Sequence, residues 1–462
     1  MALIVQKYGG SSVATVERMR AVADRVRARV SGGDRVAVVV SAMGDSTDHL
    51  LAQARAVHTD PSEREVDLLL STGEVVSCAL LAISLQAAGV RACALTGAQA
   101  GIITDGTFSR AAIADLLPAR VQAQLSEGSV PVVAGYQGVS TDGAHAEVTT
   151  LGRGGSDTTA VALAIALGAD RCEIYTDVDG VYTANPRVVP GARLLPRIGP
   201  LEMLELAQHG ARVMHPRAVE LGDAYRIPIL VRSSFHNGPG TWIIEPGLPL
   251  PDGQPLTGEI GQEDMMEMRP RVSGVVYDTN VSKLTVLGLP QPEFALFRLF
   301  DPLARAGVNV DAIAHSAEPG GARGDCAFTV AEADLARALL ITEAAAGALG
   351  AQAVHHERAV GKVSVVGLGV QDTPGLAALV FSTLGSAGIP IDMVTTSQVR
   401  ISCLVPQAQV LPATRLLHAA FKLSGAHAEG PESVENRIEN PQPDLEFLSA
   451  SPQVLDCRSG RQ

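Results

Sequence analysis

Aromatic side chains make up only 3% of this 462-residue sequence, with a single tryptophan. Basic residues are also scarce: 36 lysines and arginines stand against 49 aspartates and glutamates, a formal charge of −13. Nucleic-acid binding normally rests on a basic stripe with stacking rings, so both shortages argue against it. The acidic balance equally disfavours an anionic membrane surface. Six cysteines, at 78, 93, 172, 326, 403 and 457, include no C-x-x-C pair. They fit reduced thiols better than a disulfide scaffold or a zinc site. No uninterrupted apolar run reaches 18 residues, so no membrane span is expected. The first residues lead into a strand without the charged and apolar regions of a signal peptide, and a cytoplasmic protein is the expectation. What the chain does have is apolar residues, 46% of the total, and a length suited to about three domains.

From residue 1 to about 240, short β-branched runs alternate with alanine-rich stretches. Strands are expected at Leu3–Gln6, Val36–Val40, Val130–Ala134, Glu173–Tyr175 and Ile229–Val231. Helices are expected at Val13–Val30, Glu65–Gln86, Arg110–Gln124, Thr158–Leu167 and Leu201–Gln208. Such alternation predicts an α/β fold with a mainly parallel sheet covered on both faces. Gly238-Pro239-Gly240 and the Pro/Gly-rich stretch 246–261 read as the exit from this domain and a linker.

An internal repeat follows. Lys283-Leu284-Thr285-Val286-Leu287-Gly288 is echoed by Lys362-Val363-Ser364-Val365-Val366-Gly367, an offset of 79. Ala306-Gly307-Val308-Asn309-Val310-Asp311 is echoed by Ala387-Gly388-Ile389-Pro390-Ile391-Asp392, an offset of 81. Each copy reads strand, helix, strand, strand, helix, strand, a ferredoxin-like α+β unit. The expected organisation is a large domain over 1–245, a linker over 246–280, modules over 281–355 and 356–430, and a disordered tail over 431–462.

Three segments could carry chemistry. Lys7-Tyr8-Gly9-Gly10-Ser11-Ser12 lies where the first strand gives way to a helix. Glycines let backbone approach a ligand, and free N–H groups at a helix start attract phosphate. The lysine precedes the glycines, so this is not a Walker A loop. Alone, it is equally a tight turn beside a solvated lysine. The second segment, Thr149-Thr150-Leu151-Gly152-Arg153-Gly154-Gly155-Ser156-Asp157, sets a guanidinium among glycines, which favours carboxylate or phosphate recognition. The third runs from Tyr175 to Arg187 and follows a strand, so its polar groups emerge at a strand's carboxyl end. Ser41 to Thr47 sits at another such end and reads equally as a helix cap. Glu74 alone would be an ordinary solvated glutamate, and His209 and His215 are taken as structural.

In this order, and ahead of paired ferredoxin-like modules, the segments K-Y-G-G-S, S-A-M-G-D-S-T-D, T-T-L-G-R-G-G-S-D-T-T and T-D-V-D-G-V-Y-T resemble those of the aspartate kinases. These belong to the amino acid kinase superfamily and carry two C-terminal ACT domains. The resemblance runs from residue 1 to about 428. It implies a three-layer catalytic domain followed by two ACT domains, and phosphorylation of the β-carboxylate of L-aspartate by MgATP. That step leads toward threonine, methionine and, in many organisms, lysine. By motif match, Lys7, Arg153 and Asp157 would be catalytic. Ser41, Thr47, Glu74, Arg153 and Ser156 would hold the substrate, Arg153 at its α-carboxylate and Glu74 at its ammonium. Lys7, Gly9, Gly10, Ser11, Thr176, Asp177, Asp179, Tyr182, Arg187 and Arg212 would bind ATP. Asn309, Asp311, Asp372 and Asp392 would meet an amino-acid effector such as threonine or lysine. Mg²⁺ would be held mainly by the nucleotide, with no dedicated protein metal site. Paired ACT modules imply a homo-oligomer, dimer or larger, or assembly with a short ACT-only subunit, for which Met265, Met266 and Met268 offer internal starts.

The chain departs from the family pattern in places. Asn185 stands where members commonly carry Asp, and Arg212 where some have Lys. The first module has Leu289-Pro290-Gln291-Pro292-Glu293-Phe294 in place of the D-x-P-G turn, whereas the second keeps Asp372-Thr373-Pro374-Gly375 but has Gln398 where Glu is frequent. Altered or lost effector binding at the first module is expected. The competing readings are a superfamily kinase acting on glutamate, acetylglutamate or carbamate, and a catalytically silent amino-acid sensor.

Overall fold

The computed structural model describes residues 1–141, 146–211, 213–250, 271–290, 294–317, 322–370 and 373–424. Arg212, Asp372, the three linker methionines and the tail from 431 lie outside the described residues.

The first domain opens with β1 (Leu3–Tyr8), α1 (Val16–Ser31), β2 (Arg35–Val40), α2 (Ser46–Val57), α3 (Glu63–Ala87) and β3 (Ala92–Leu95). Next come β4 (Ile102–Thr104), β5 (Ile113–Leu116), α4 (Ala119–Ser126), β6 (Val130–Ala134), β7 (Gln137–Ser140) and β8 (Glu147–Thr150). It closes with α5 (Gly155–Leu167), β9 (Arg171–Thr176), β10 (Arg197–Ile198), α6 (Pro200–Gln208), α7 (Pro216–Ala224), β11 (Ile229–Ser233) and β12 (Thr241–Ile243). Eight strands form one sheet in the order β10-β12-β11-β9-β1-β2-β6-β3, with β11–β12 its antiparallel pair. Alternation along the strands builds two cores. Val36, Val38 and Val40 of β2 meet Met19, Val22 and Val26 of α1 and Leu81 and Leu85 of α3, while Ala37 and Val39 face Val161 and Leu163 of α5. The three layers follow from that pattern.

One expected helix is corrected. Of residues 110–124, Ile113–Leu116 form strand β5, antiparallel to β4, and the helix starts only after Pro118. β5 belongs to a second, four-stranded sheet, β5-β4-β7-β8, whose last strand delivers the Arg153 segment. Helix α3 has the length and composition of a membrane span, with half of its most apolar stretch buried inside the protein.

The remaining elements are β13 (Arg271–Pro290), α8 (Ala295–Arg305), β14 (Val310–Ala317), β15 (Arg323–Val330), α9 (Leu335–Leu349), β16 (Ala353–Leu368), α10 (Leu376–Ser386), β17 (Met393–Ser397), β18 (Arg400–Pro406) and α11 (Val410–Ala420). They share a single sheet in the order β14-β15-β13-β16-β18-β17. The expected boundaries at 280/281 and 355/356 fall inside β13 and β16, because both strands are long and serve both repeats. Ser282–Pro290 pair with β15, whereas Arg271–Asp278 pair with Lys362–Leu368. The second ferredoxin-like unit thus takes its fourth strand from the residues that precede the first.

The modules dock on the first domain through named contacts. Glu205 of α6 accepts from Arg400 Nε at 2.8 Å and from the Ser397 hydroxyl. Thr183 Oγ1 lies 2.9 Å from His418 Nε2, and Arg415 Nε donates to the Val188 carbonyl at 3.0 Å.

Candidate functional site

Strand β1 is where the sheet order reverses: β2 lies on one side and β9 on the other, each parallel to it. Such a switch point leaves a crevice beyond the strands' carboxyl ends. A cleft of about 260 Å³ opens there, and it gathers residues from five distant stretches. Lys7 and Gly10 come from the end of β1, Ser41 from the end of β2 and Thr47 from the first turn of α2, Glu74 from α3, Tyr136 from beyond β6, and Ser156 and Asp157 from the start of α5.

Lys7 Nζ and Asp157 Oδ1 pair at 2.7 Å. The other carboxylate oxygen of Asp157 accepts the His215 backbone N–H at 3.3 Å. Glycine is required around them for steric reasons. A Cβ on Gly10 would sit 2.8 Å from the Ala42 carbonyl oxygen, and one on Gly154, at φ +70°, would sit 2.2 Å from the His215 ring. The Gly9 N–H is held by the Tyr175 carbonyl at 3.2 Å, which ties the glycine turn to β9.

Glu74 is not the solvated glutamate of a surface helix. It is 3% exposed. Its Oε1 accepts the Ala42 N–H at 3.2 Å, while Oε2 is buried without a hydrogen-bond partner among the described residues. Burial pushes its carboxyl up to about 7, against the pull of the Ala42 N–H. A half-satisfied carboxylate facing a cleft is a receptor for a cation or a donor.

The other expected residues are placed differently. Arg153 is exposed and does not line the cleft. It lies near enough to Tyr136 for its charge to oppose the burial that raises that phenol. Ser11 accepts from the Arg18 guanidinium through its carbonyl. Thr176, Asp177, Asp179, Tyr182 and Arg187 lie on and after the end of β9, apart from the cleft lining. Asp179 accepts from the Tyr182 hydroxyl at 3.0 Å and lies 2.6 Å from His236 Nε2. Asn185 caps the N–H of Arg187 at 3.0 Å through its side-chain oxygen, as an aspartate would. Among the effector candidates, Asn309 is exposed, Asp311 pairs with Lys362, and Asp392 pairs with Lys283 at 2.6 Å.

Two residues escaped the sequence reading. Tyr136, at φ +70°, lines the cleft beyond the carboxyl end of β6; the strand-end argument applied to Ser41 would have found it. Asp67 is fully buried on α3, and its signal was the same-face spacing to Glu74, seven residues on. Among the described residues, no group of three or more His, Cys, Asp or Glu side chains is arranged to hold a metal.

Comparison with known proteins agrees with this geometry. The amino acid kinase family model matches residues 2–233, and an ACT domain model matches residues 363–421. Over 92% of its length the chain is 45% identical to the aspartokinase of Mycolicibacterium smegmatis, covering 97% of that protein. It is 44% identical to the aspartokinase of Geobacillus stearothermophilus, over 92% of this chain and 98% of that one. The crystal structure of E. coli aspartokinase III in complex with aspartate and ADP is similar with a TM-score of 0.74 at 26% identity, over 91% of this chain and 100% of that one. Aspartate kinase from Synechocystis, 44% identical, gives a TM-score of 0.50 over 91% of this chain and 70% of that one. With near end-to-end relatives and an ACT domain behind an amino acid kinase domain, the chain belongs to the aspartokinase family of enzymes.

Proposed function

We propose that the protein transfers the γ-phosphoryl group of MgATP to the β-carboxylate of L-aspartate, forming 4-phospho-L-aspartate at the head of threonine and methionine synthesis and, in many organisms, of lysine synthesis. The observation that carries this reading is one cleft holding a lysine ion-paired to Asp157 and a buried, half-satisfied Glu74. An amino-acid substrate with two carboxylates and one ammonium needs that mixture of charge. Its ammonium supplies the partner Glu74 Oε2 lacks. Arg153, on its glycine-flanked loop, takes the α-carboxylate in a bidentate contact. The hydroxyls of Ser41, Thr47 and Ser156 complete the polar wall.

The attacking carboxylate is already ionised near neutral pH, so no general base is required. Catalysis is then positioning and charge stabilisation. Lys7 meets the charge of the transferring group, and Asp157 holds Lys7 in place until phosphate replaces it. The amides of Gly10 and Ser11 complete the phosphate cradle, Gly9 serving it by tying the turn to β9 through the Tyr175 carbonyl, while Thr176, Asp177, Asp179, Tyr182, Arg187 and Arg212 take the nucleoside end. Asp157 would be the carboxylate this cleft offers to a Mg²⁺ carried on the nucleotide phosphates, and among the described residues no cage of three or more acids, histidines or cysteines competes with it. When bound, the metal neutralises phosphate charge.

Regulation by an amino acid such as lysine or threonine is supported by the ACT modules; E. coli aspartokinase III, at TM-score 0.66 and 26% identity, has been crystallised with lysine and aspartate in a T-state. The two modules start their first helices differently. Gly375 caps α10 at φ +90°, whereas Phe294 caps α8 at φ +65°. Effector binding at the first module is accordingly altered or lost, and titration calorimetry with threonine and lysine tests it. Tight binding abolished by substituting Asn309 or Asp311 would refute it. Substrate choice is tested by ADP release with aspartate, glutamate, acetylglutamate and carbamate, where turnover with aspartate alone is expected. Preference for another acid would overturn the substrate, and no turnover with any acid would favour a sensor.

A further inference from the structure

The loop that carries Arg153 has little stiffness of its own, because Gly152 and Gly154 flank the arginine at φ +74° and +70°. Its placement comes from its ends. One end is fixed by α5. The other is fixed by Asp67, a fully buried carboxylate two helical turns before Glu74 on the same face of α3. Asp67 Oδ2 accepts the backbone N–H of Thr150 at 2.8 Å and that of Ser109 at 2.8 Å, and Oδ1 accepts the Thr150 hydroxyl at 2.7 Å. Both clamped residues border the glycine-flanked loop, Thr150 in sequence and Ser109 in space at Gly152. Ser109 holds a left-handed φ of +64°, and its carbonyl oxygen packs 3.0 Å from where a Cβ on Gly152 would lie. The Thr150 carbonyl accepts the Ala111 N–H at 2.8 Å, and Leu151 donates to the Tyr136 carbonyl at 2.8 Å.

A carboxylate is costly to bury unless its acceptors are filled, and charge-assisted bonds of this length fill them. All three come from the frame of one loop. We infer that Asp67 is a positioning residue for amino-acid recognition, setting the affinity for substrate by fixing the loop that presents Arg153. One helix then serves both ends of the substrate: Glu74 directly at the ammonium, Asp67 through Arg153 at the α-carboxylate. This inference rests on the substrate role proposed above for Arg153.

The test is steady-state kinetics on the full chain with both substrates varied. Asp67→Ala is expected to raise KM for aspartate about tenfold, with KM for ATP within about twofold and kcat within about threefold of the parent. Asp67→Asn keeps an oxygen for both N–H groups and turns its amide toward the Thr150 hydroxyl, so it is expected to restore KM to within about twofold. Should Asp67→Ala not fold, Thr150→Val removes one bond of the three and is expected to raise KM for aspartate about threefold. Arg153→Ala calibrates the reading beneath. If it raises KM for aspartate while Asp67→Ala and Thr150→Val do not, Asp67 is a structural acid and the inference is overturned. A parallel rise in KM for both substrates in Asp67→Ala overturns it too. If Arg153→Ala leaves KM for aspartate unchanged, the role given to Arg153 falls first and the inference with it.

Discussion

The candidate cleft and the junction between the ACT modules each bury charged side chains, Glu74 in one and Lys283 and Lys362 in the other, yet these are settled in opposite ways. In the cleft, Glu74 keeps an oxygen without a partner among the described residues, and burial pushes its carboxyl up to about 7. At the junction each module lends a lysine to the other. Lys283 of the first repeat reaches Asp392 of the second, and Lys362 of the second reaches Asp311 of the first. These are the same positions in the two copies, so the ion pairs are reciprocal and repeat the internal symmetry of the sequence. The difference teaches what each region is for. At the junction a buried lysine answered by its acid stabilises the fold, whereas the buried carboxylate of Glu74, left half-answered, destabilises it and suits a ligand.

The largest effect should come from breaking the cleft. Lys7→Ala is expected to lower kcat about a thousandfold with the circular dichroism spectrum unchanged, because it removes the cation that meets the transferring phosphoryl group. Near-normal turnover would remove Lys7 from the chemistry.

Glu74 gives the comparison its pH signature. A carboxyl raised from 4.5 to about 7 in the folded state binds more protons folded than unfolded. Glu74 should therefore cost the ligand-free protein about 3 kcal/mol of stability as pH rises from 4.5 to 7. The lowered His209, His215 and His418 act in the opposite sense over the same range, so the check is denaturant titration of the parent against Glu74→Gln, whose stability difference should change with pH by that amount. With the carboxylate ionised, the substrate ammonium gains its partner, so KM for aspartate should fall as pH rises through about 7. In Glu74→Gln that dependence should vanish and KM should rise about tenfold.

The junction should respond in stability. Asp311→Ala strands Lys362, whose side chain is 7% exposed, and is expected to cost about 2 kcal/mol once the half-exposed position of Asp311 is allowed for. Asp392→Ala should cost only about 1 kcal/mol, because Glu357 remains 3.3 Å from Lys283. Equal losses would contradict the part given to Glu357. The smallest change is Phe294→Gly, which relieves a left-handed phenylalanine at the start of α8 and should stabilise the protein by about 0.5 kcal/mol after the flexibility of glycine is counted.

Much of this was legible in the residues. The βα alternation gave the parallel sheet, and both offset signatures mark paired ferredoxin-like units. Lys7, Ser41, Thr47, Ser156 and Asp157 converge as their strand-end and helix-start positions imply, whereas Glu74, in the middle of α3, was singled out only by the family resemblance. What stayed hidden depends on distant pairing. Residues 113–116 look helical locally and become a strand because β4 offers an edge. β13 crosses the expected module boundary because its first half is claimed by Lys362–Leu368, a partner no local pattern names. Asp67 reads as one more acid on a helix until Thr150 and Ser109 fold onto it.

The central claim is that this cleft makes an acyl phosphate on aspartate. The most direct measurement incubates the protein with MgATP, L-aspartate and hydroxylamine and assays aspartyl hydroxamate. Hydroxamate that requires both ATP and aspartate and is lost in Lys7→Ala is the expected result. ATP consumption without hydroxamate, or hydroxamate formed from glutamate and not from aspartate, would contradict it.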